Sequence, residues 1–320
     1  MNRRQFLAGA AAAPFALHHV VARADGRARA LALVTADTEA HVVAVDPHAG
    51  RVSWRLATVA GPRSIESVAR RAAVVAHTTE GRVSLLGARP LGVRRVLRGF
   101  SEPRYTAARR DGRHVYVTDS KLGEVATIDM QAGRVIRRTA VGELARHVSL
   151  APEGRTLWVA LGSKARLVAA LDVTDATRPR LLGTARPPFL AHDVGFSPEG
   201  RWVWATPGDR RPVAIHDRAT RRFRARLRAG APPQHVTFLG GTACVTSGDD
   251  GSFRVHDVAT GRLLRTTPVP AGSYNVQQGF ELVLTPSLDE GTVCVLGPRG
   301  DLRHELRVAR SSHDACLVVA

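Results

Sequence analysis

The chain has 320 residues, of which 44% are apolar and 5% aromatic, and its formal net charge is +18. This apolar fraction excludes a disordered chain, and the length allows a sizeable core. Almost all of the 46 basic residues are arginines, and they are scattered rather than gathered into a tract. Because attraction of a polyanion needs a patch and not a high total, we expect no specific nucleic-acid partner.

The first 24 residues have the pattern of an export signal. The pair Arg3-Arg4 is followed by Phe and Leu, then by a short Ala-rich stretch and an A-x-A pattern before Asp25. A charged head, an apolar middle and a small-residue cleavage site are typical of secreted proteins, and the arginine pair resembles the twin-arginine signal. The apolar stretch is too short to span a membrane. We therefore predict a cleaved signal over 1–24, a single domain over 25–320, no membrane span, and a periplasmic or extracellular location.

From residue 30 onward, one pattern recurs along the chain. In "RHVYVTDSKLGEVATID", an alternating apolar run leads into a polar turn and then into a second alternating run. Alternation with a period of two around a short polar turn predicts a β-hairpin. Copies of this hairpin pattern occupy residues 30–46, 72–87, 113–129, 155–172, 201–217, 242–257 and 281–297.

A shorter apolar strand lies before each hairpin except the first, and a Gly-turn with a basic strand follows. These short strands begin near Ile65, Thr106, Val148, Val194, Val236, Val276 and Ala315. Their spacings are 41, 42, 46, 42, 40 and 39 residues, and the longest reflects an insertion, "DVTDATRPRLLG", before a fourth strand. A period near 42 with four strands in each unit is the sequence pattern of a β-propeller.

The two ends of the repeat predict how the ring closes. The last short strand, near Ala315, has no hairpin after it, and the hairpin at 30–46 has no short strand before it. Joining them gives seven complete units and leaves no exposed sheet edge of the kind that a linear stack would have. We predict an all-β, seven-bladed β-propeller with four antiparallel strands per blade, closed by pairing of the C-terminal strand with the N-terminal hairpin.

The repeat also carries a family resemblance. The run "VYVTD…GEVATID…GRVIRRTAVGELARHV" is similar to the repeat of the YVTN family of seven-bladed propellers, and the resemblance extends over 27–320. Ala145 stands where the family pattern has proline. The resemblance implies the architecture but not one activity, since the family includes surface and periplasmic binding proteins and relatives of sugar-lactone hydrolases and haem-binding domains.

The three cysteines lie in apolar strand runs. Cys244, Cys294 and Cys316 are predicted to be small buried residues, and their odd number leaves at least one unpaired. The chain contains no C-x-x-C-H motif, so covalent haem attachment is not expected. The acidic run "TSGDDGS" at 246–252 is interpreted as turn chemistry, because it lacks the ligand spacing of a calcium loop.

Polar residues occupy the start of every short strand. In register with the seven apolar positions above, the residues one step earlier are Ser64, Tyr105, His147, Asp193, His235, Asn275 and Asp314. Two steps earlier they are Arg63, Arg104, Arg146, His192, Gln234, Tyr274 and His313. Successive residues point to opposite faces of a strand, so only one set can face the axis squarely, but both should crowd the channel mouth.

This ring predicts a ligand site. Guanidinium and imidazole groups suit a small anionic molecule, although polar residues there could also serve only to satisfy strand ends and bind water. The candidate ligand-binding residues are Arg104, Tyr105, Arg146, His147, His192, Asp193, His235, His313 and Asp314. Imidazoles with carboxylates could bind zinc or copper as well, but no residue is assigned as a metal ligand or as a catalytic group, and no cofactor is identified.

The preferred interpretation is an exported, non-catalytic binding propeller, expected to be a monomer, that holds a small anionic ligand or another exported protein at the channel mouth. One alternative is a lactonase-like hydrolase in which His192 or His235 acts as general base and Arg146 stabilises the oxyanion. Another is a redox-associated propeller that binds haem or copper.

Overall fold

The structure is a computed structural model that describes residues 29–162, 165–209, 211–229 and 231–319. It shows seven four-stranded antiparallel sheets, which together contain 28 strands. The chain is a seven-bladed β-propeller, as the repeat predicts. The export signal predicted over 1–24 lies outside the described residues. Within these ranges, the structure contains no helix with the length and apolar character that a bilayer crossing requires.

The first four blades follow the chain in order, and the first of them includes the last strand of the protein. Blade 1 contains β1 (Ala30–Ala36), β2 (His41–Asp46), β3 (Arg51–Ala57) and β28 (Ser312–Val319). Blade 2 contains β4 (Pro62–Val68), β5 (Ala72–His77), β6 (Arg82–Ala88) and β7 (Leu91–Leu97). Blade 3 contains β8 (Pro103–Ala108), β9 (His114–Asp119), β10 (Glu124–Asp129) and β11 (Arg134–Ala140). Blade 4 contains β12 (Ala145–Leu150), β13 (Thr156–Leu161), β14 (Val168–Asp172) and β15 (Arg180–Ala185).

The remaining three blades repeat the same order of strands. Blade 5 contains β16 (Asp193–Phe196), β17 (Trp202–Thr206), β18 (Pro212–Asp217) and β19 (Phe223–Arg228). Blade 6 contains β20 (Val236–Leu239), β21 (Thr242–Ser247), β22 (Ser252–Asp257) and β23 (Leu263–Pro268). Blade 7 contains β24 (Gln277–Gly279), β25 (Leu282–Pro286), β26 (Thr292–Leu296) and β27 (Leu302–Arg307).

The ring closes through the two ends of the chain. Strand β28 pairs antiparallel with β1, from Ala30 opposite Val319 to Ala36 opposite Ser312. The C-terminal strand therefore supplies the innermost strand of blade 1, as the unpaired ends of the repeat predict.

The hydrophobic core lies between the blades rather than inside any one of them. Seven clusters of buried residues each combine side chains from two neighbouring sheets. The cluster between blades 1 and 7, for example, packs Val34 and Val43 against Leu284 and Val293. Alternation along a strand places apolar residues on both faces, so every sheet can pack against both of its neighbours.

The blade ends repeat the same turn chemistry. In blade 3, Asp129 accepts hydrogen bonds from the backbone N–H groups of Gln131 and Ala132, and Gly133 adopts a positive φ of 62° before the outer strand. Each pairing between a third and a fourth strand also contains a register shift. Such bulges increase the local twist, which lets flat hairpins become propeller blades. The insertion in blade 4 forms the loop between β14 and β15, as predicted.

The three cysteines are buried and free. Each of them lies in a β-strand: Cys244 in β21, Cys294 in β26 and Cys316 in β28. Burial raises the pKa of the Cys244 and Cys294 thiols to about 12 and that of Cys316 well above its usual value. The thiols therefore stay protonated and serve as small apolar residues, which agrees with their predicted role.

Candidate functional site

The innermost strands of all seven blades enter the central channel from the same end, so their first residues meet there. The seven residues that directly precede the apolar positions of the inner strands line the channel, and all of them are buried. They are Ser64, Tyr105, His147, Asp193, His235, Asn275 and Asp314. Of the two alternating sets, this is the one that faces the axis.

The second set forms the rim above the channel. A cavity of about 390 Å³ at this mouth is lined by Arg63, Arg146, His192, Gln234, Tyr274 and His313, six of the seven positions. Tyr105 and His235 line both this cavity and the channel below it, so the two spaces meet at their side chains. The seventh rim residue, Arg104, lies in a neighbouring cleft with Arg63.

A repeated threonine holds the rim in place. The Oγ1 of Thr118, near the end of β9, donates to the carbonyl oxygen of Arg146 in the next blade at 2.6 Å. Thr35, Thr206 and Thr246 occupy the same place in their blades and donate to the carbonyls of the next blades' rim residues. These threonines thus join neighbouring blades at the height of the site.

Three histidines converge where the channel meets the mouth. The rings of His147 and His192 have centroids 4.5 Å apart, those of His147 and His235 are 4.6 Å apart, and those of His192 and His235 are 5.2 Å apart. One nitrogen of each ring can be chosen so that all three lie within 4.8 Å of one another. The ring of Tyr105 stacks on His147 with a centroid separation of 3.8 Å.

His147 is the least satisfied polar side chain of the site. It is 1% exposed, and within the described residues neither its Nδ1 nor its Nε2 has a hydrogen-bond partner. Burial, followed by the neighbouring imidazoles and Arg146, holds the pKa of His147 well below its usual value. The imidazole is therefore neutral near pH 7 and keeps a lone pair available.

The neighbouring histidines have defined tautomers. The Nδ1 of His235 lies 3.2 Å from Oδ2 of Asp193, so the ring donates to the carboxylate through Nδ1. The Nδ1 of His313 lies 3.0 Å from the carbonyl oxygen of Arg63, and it must donate there because a carbonyl only accepts. Burial and the nearby Arg63 hold the pKa of His313 well below its usual value.

The arginines of the rim differ in their partners. Arg63 pairs with Asp37 at 2.8 Å, and Arg104 pairs with Glu102. Arg146 has no carboxylate partner among the described residues, and its Nε is buried without a hydrogen-bond acceptor. Burial and then the charges of Arg146 and Arg63 lower the pKa of Arg104.

Sequence reasoning missed Asp249 at the mouth. This residue lies in a short 3₁₀ turn between β21 and β22, which confirms the prediction that the acidic run at 246–252 forms a turn. Its carboxylate also accepts hydrogen bonds from Gln234 Nε2 at 2.9 Å and from Tyr274 Oη at 3.1 Å. A hairpin turn that reaches back over two inner strands leaves no sequence signal, so only the fold could reveal this contact.

A second missed residue is Glu66, deeper in the channel. Its side chain is half-buried, and burial and the neighbouring Asp314 raise its pKa to about 8. Asp314 accepts from the backbone N–H of Ile65 at 3.0 Å, yet burial raises its pKa to about 6. Cys316 on the same strand and Arg110 across the adjoining cavity also face Glu66. The two carboxyls therefore carry less negative charge near pH 7 than their number suggests.

The structure brings most of the predicted site residues into one region. His147, His192 and His235 form the histidine cluster, with Tyr105 and Asp193 against it. Arg146 and His313 line the mouth beside the cluster. Arg104 points toward Glu102 in the next cleft, and Asp314 lies on the channel wall below.

Comparison with known proteins shows the fold and little more. Neither a protein-family model nor a curated protein matches the sequence. The hydrazine synthase of Kuenenia stuttgartiensis is similar in structure, with a TM-score of 0.72 and 16% identity over 84% of this chain and 92% of that one. Apo AztD from Citrobacter koseri has a TM-score of 0.69 and 11% identity over 92% and 98% of the two chains. The dihydro-haem d1 dehydrogenase NirN, in complex with DHE, has a TM-score of 0.64 and 17% identity, covering 87% of this chain and 64% of its own.

Identities this low establish a shared architecture without a shared activity. The resemblance to the YVTN family therefore stays a prediction.

Proposed function

We propose that this protein is an exported, non-catalytic binding propeller that holds one divalent transition-metal ion in the cluster of His147, His192 and His235. One observation carries the proposal. Three imidazoles place nitrogens within 4.8 Å of one another, and both nitrogens of the most buried ring have no other partner among the described residues. Burying a polar group without a hydrogen bond is unfavourable, and a metal ion would satisfy one of these nitrogens directly.

The chemistry of the donors selects the class of ion. Neutral imidazoles suit zinc, copper and nickel, whereas calcium and magnesium prefer oxygen ligands. The bond from His235 to Asp193 is the outer-sphere contact that commonly fixes the tautomer of a metal-binding histidine. Three protein ligands leave a fourth position open to a further ligand.

The convergence of three rings favours a bare ion over haem. A haem iron offers protein ligands only two axial positions, on opposite faces of the macrocycle. Three imidazoles directed at one point therefore do not match the ligand number or the arrangement that a haem needs. NirN shows that a related ring occurs in a haem-processing enzyme, but 17% identity transfers no activity to this chain.

Metal binding can be tested by chelator competition. Purified protein is stripped with a chelator and titrated with Zn²⁺, Cu²⁺ or Co²⁺ against a chromophoric chelator. We expect one ion per chain, with affinity reduced at least 100-fold in His147→Phe and His235→Ala and at least tenfold in His192→Ala. His48→Ala, which removes an exposed histidine in the turn after β2, is the matched control and should bind as the native protein does.

Two outcomes would overturn the proposal. One is binding that survives in His147→Phe, because the ion would then lie elsewhere. The other is hydrolysis of lactones by the metal-free protein that is lost in His235→Ala but kept in His147→Phe. That second result would favour a general-base role for the His235–Asp193 pair.

Export is the second part of the proposal and rests on the Arg3-Arg4 pair. Fusing residues 1–30 to a reporter that is active only outside the cytoplasm tests it. We expect the reporter to be exported, and export to fail when both arginines are replaced by lysine. Unchanged export of the Lys-Lys variant would contradict the twin-arginine interpretation.

A further inference from the structure

We infer that the metal site is completed by a small carboxylate or phosphate anion, which fills the open metal position and is held at the same time by the guanidinium group of Arg146. The inference rests on the proposed metal site and names the class of its second ligand. The protein would then take up a metal ion together with its anion, rather than the ion alone.

The first support is the charge around the histidine cluster. Its three imidazoles are uncharged when they bind a metal, so a divalent ion would add two positive charges to the junction of channel and mouth. Asp193 is the carboxylate in contact with a ligand ring, and it supplies a single negative charge. Charge left unneutralised at the ion is unfavourable in a partly buried site, so an anion in the open metal position is favoured.

The second support is the state of Arg146. Its guanidinium lines the same cavity as His192 and His235, and no carboxylate in the described chain pairs with it. Arg63 has one acidic partner, Asp37, and a guanidinium has five N–H donors, so it can also donate into the mouth. Arginine binds carboxylate and phosphate with two parallel hydrogen bonds, a geometry that a monatomic anion cannot use.

The third support is the space above the metal position. The mouth cavity of about 390 Å³ is large enough for a small organic acid and opens to solvent. Two carboxylates, Asp209 and Asp249, also line this cavity. Asp249 already accepts bonds from Gln234 and Tyr274, so part of its charge is compensated by donors on its own wall. An anion would therefore bind toward Arg146, away from these acids.

The test uses Co²⁺ as a spectroscopic probe in the full chain. Cobalt affinity is measured first, by chelator competition in a buffer without coordinating anions. Glutarate, inorganic phosphate and chloride are then titrated into the cobalt-loaded protein, and the visible absorption band of the metal reports occupation of its open position. Arg146→Gln is compared with Arg137→Gln, which removes the same charge from an exposed position on β11.

We expect glutarate or phosphate to shift the cobalt band in the native protein and in Arg137→Gln. In Arg146→Gln the same shift should need at least tenfold more of the anion. Chloride, a monatomic anion that cannot accept two parallel hydrogen bonds from arginine, should respond equally in all three proteins.

The inference is overturned if Arg146→Gln and the native protein bind both anions equally, or if glutarate and phosphate bind the metal-free protein as tightly as the loaded one. If cobalt does not bind in the first step, the proposed metal site itself fails. The two failures are therefore distinguishable.

Discussion

Replacing His147 by phenylalanine should stabilise the metal-free protein. His147 is 1% exposed, stacks on Tyr105, and has two ring nitrogens without partners among the described residues. A buried donor or acceptor that lacks a partner costs about 1–3 kcal/mol of folding free energy. Phenylalanine keeps the stacking and removes both polar atoms, but it is slightly larger. Allowing for imperfect packing, we expect a gain of about 1–2 kcal/mol.

Metal should reverse this order of stability. At a free concentration one hundred times its dissociation constant, an ion that binds only the folded state stabilises it by about 2.7 kcal/mol. The native protein should gain that amount and His147→Phe should gain nothing. The measurement is urea unfolding with excess chelator and again with excess Zn²⁺. The less bulky His147→Leu, tested in parallel, shows whether overcrowding masks the effect.

A second buried histidine provides the matched control. His77 is 0% exposed, but its Nδ1 lies 3.1 Å from the carbonyl oxygen of Ala60 and its Nε2 lies 2.8 Å from Ser84 Oγ. His77→Phe should therefore lose about 2–4 kcal/mol with or without metal, because it leaves both partners unpaired. If His147→Phe and His147→Leu were destabilised in chelator as strongly as His77→Phe, the nitrogens of His147 would be satisfied in the free protein and our reasoning would be refuted.

Three further predictions concern the channel, the rim and the ring closure. The folded-state pKa of Glu66, about 8, exceeds its usual value of 4.5, so it lowers stability progressively as pH rises from 4.5 through 8. Glu66→Gln should thus be more stable than the native protein by about 2 kcal/mol at pH 9, an amount discounted for its partial exposure, and equal to it at pH 4. Urea unfolding at both pH values checks this, and the exposed Glu143→Gln should show no such dependence. Thr118→Val removes the bond to the carbonyl of Arg146, so we expect a loss of about 1 kcal/mol and metal affinity reduced three- to tenfold in chelator competition. Deleting residues 313–320 removes most of β28 and should abolish cooperative thermal unfolding; an unchanged transition would contradict closure through the C-terminal strand.

The ring could be predicted because its information is local and repeated. The hairpin at 113–129 carries its own alternation and turn residues, and six other copies place the same pattern about 42 residues apart. Closure followed from the two incomplete ends, and β28 pairs with β1 as they imply. These features can be predicted from the periodicity of the sequence, which remains detectable although sequence identity to a structural neighbour is as low as 11%.

The candidate site was less predictable because its properties arise between blades. The register of the repeat placed His147 and His192 at adjacent levels of the channel, and in the structure both belong to the histidine cluster. It could not show which alternating set faces the axis, because that depends on the tilt of each inner strand. Nor could it show that Arg63 has an acidic partner from another blade while Arg146 has none in the described chain. Both facts require neighbours that are distant in sequence.

The unsatisfied groups explain why we assign function to this end of the channel. Elsewhere the buried histidines have backbone partners, as His216 does with the carbonyl of Arg221 and His256 with that of Gly261. Each of those two rings has one bonded nitrogen and leaves only its Nε2 unpaired, whereas both nitrogens of His147 are unpaired among the described residues, which is the larger loss of stability for a single ring. Natural proteins retain such losses where binding requires them. That difference favours the proposed binding site over a merely wet channel entrance, in which polar side chains would be expected to satisfy one another or the strand ends.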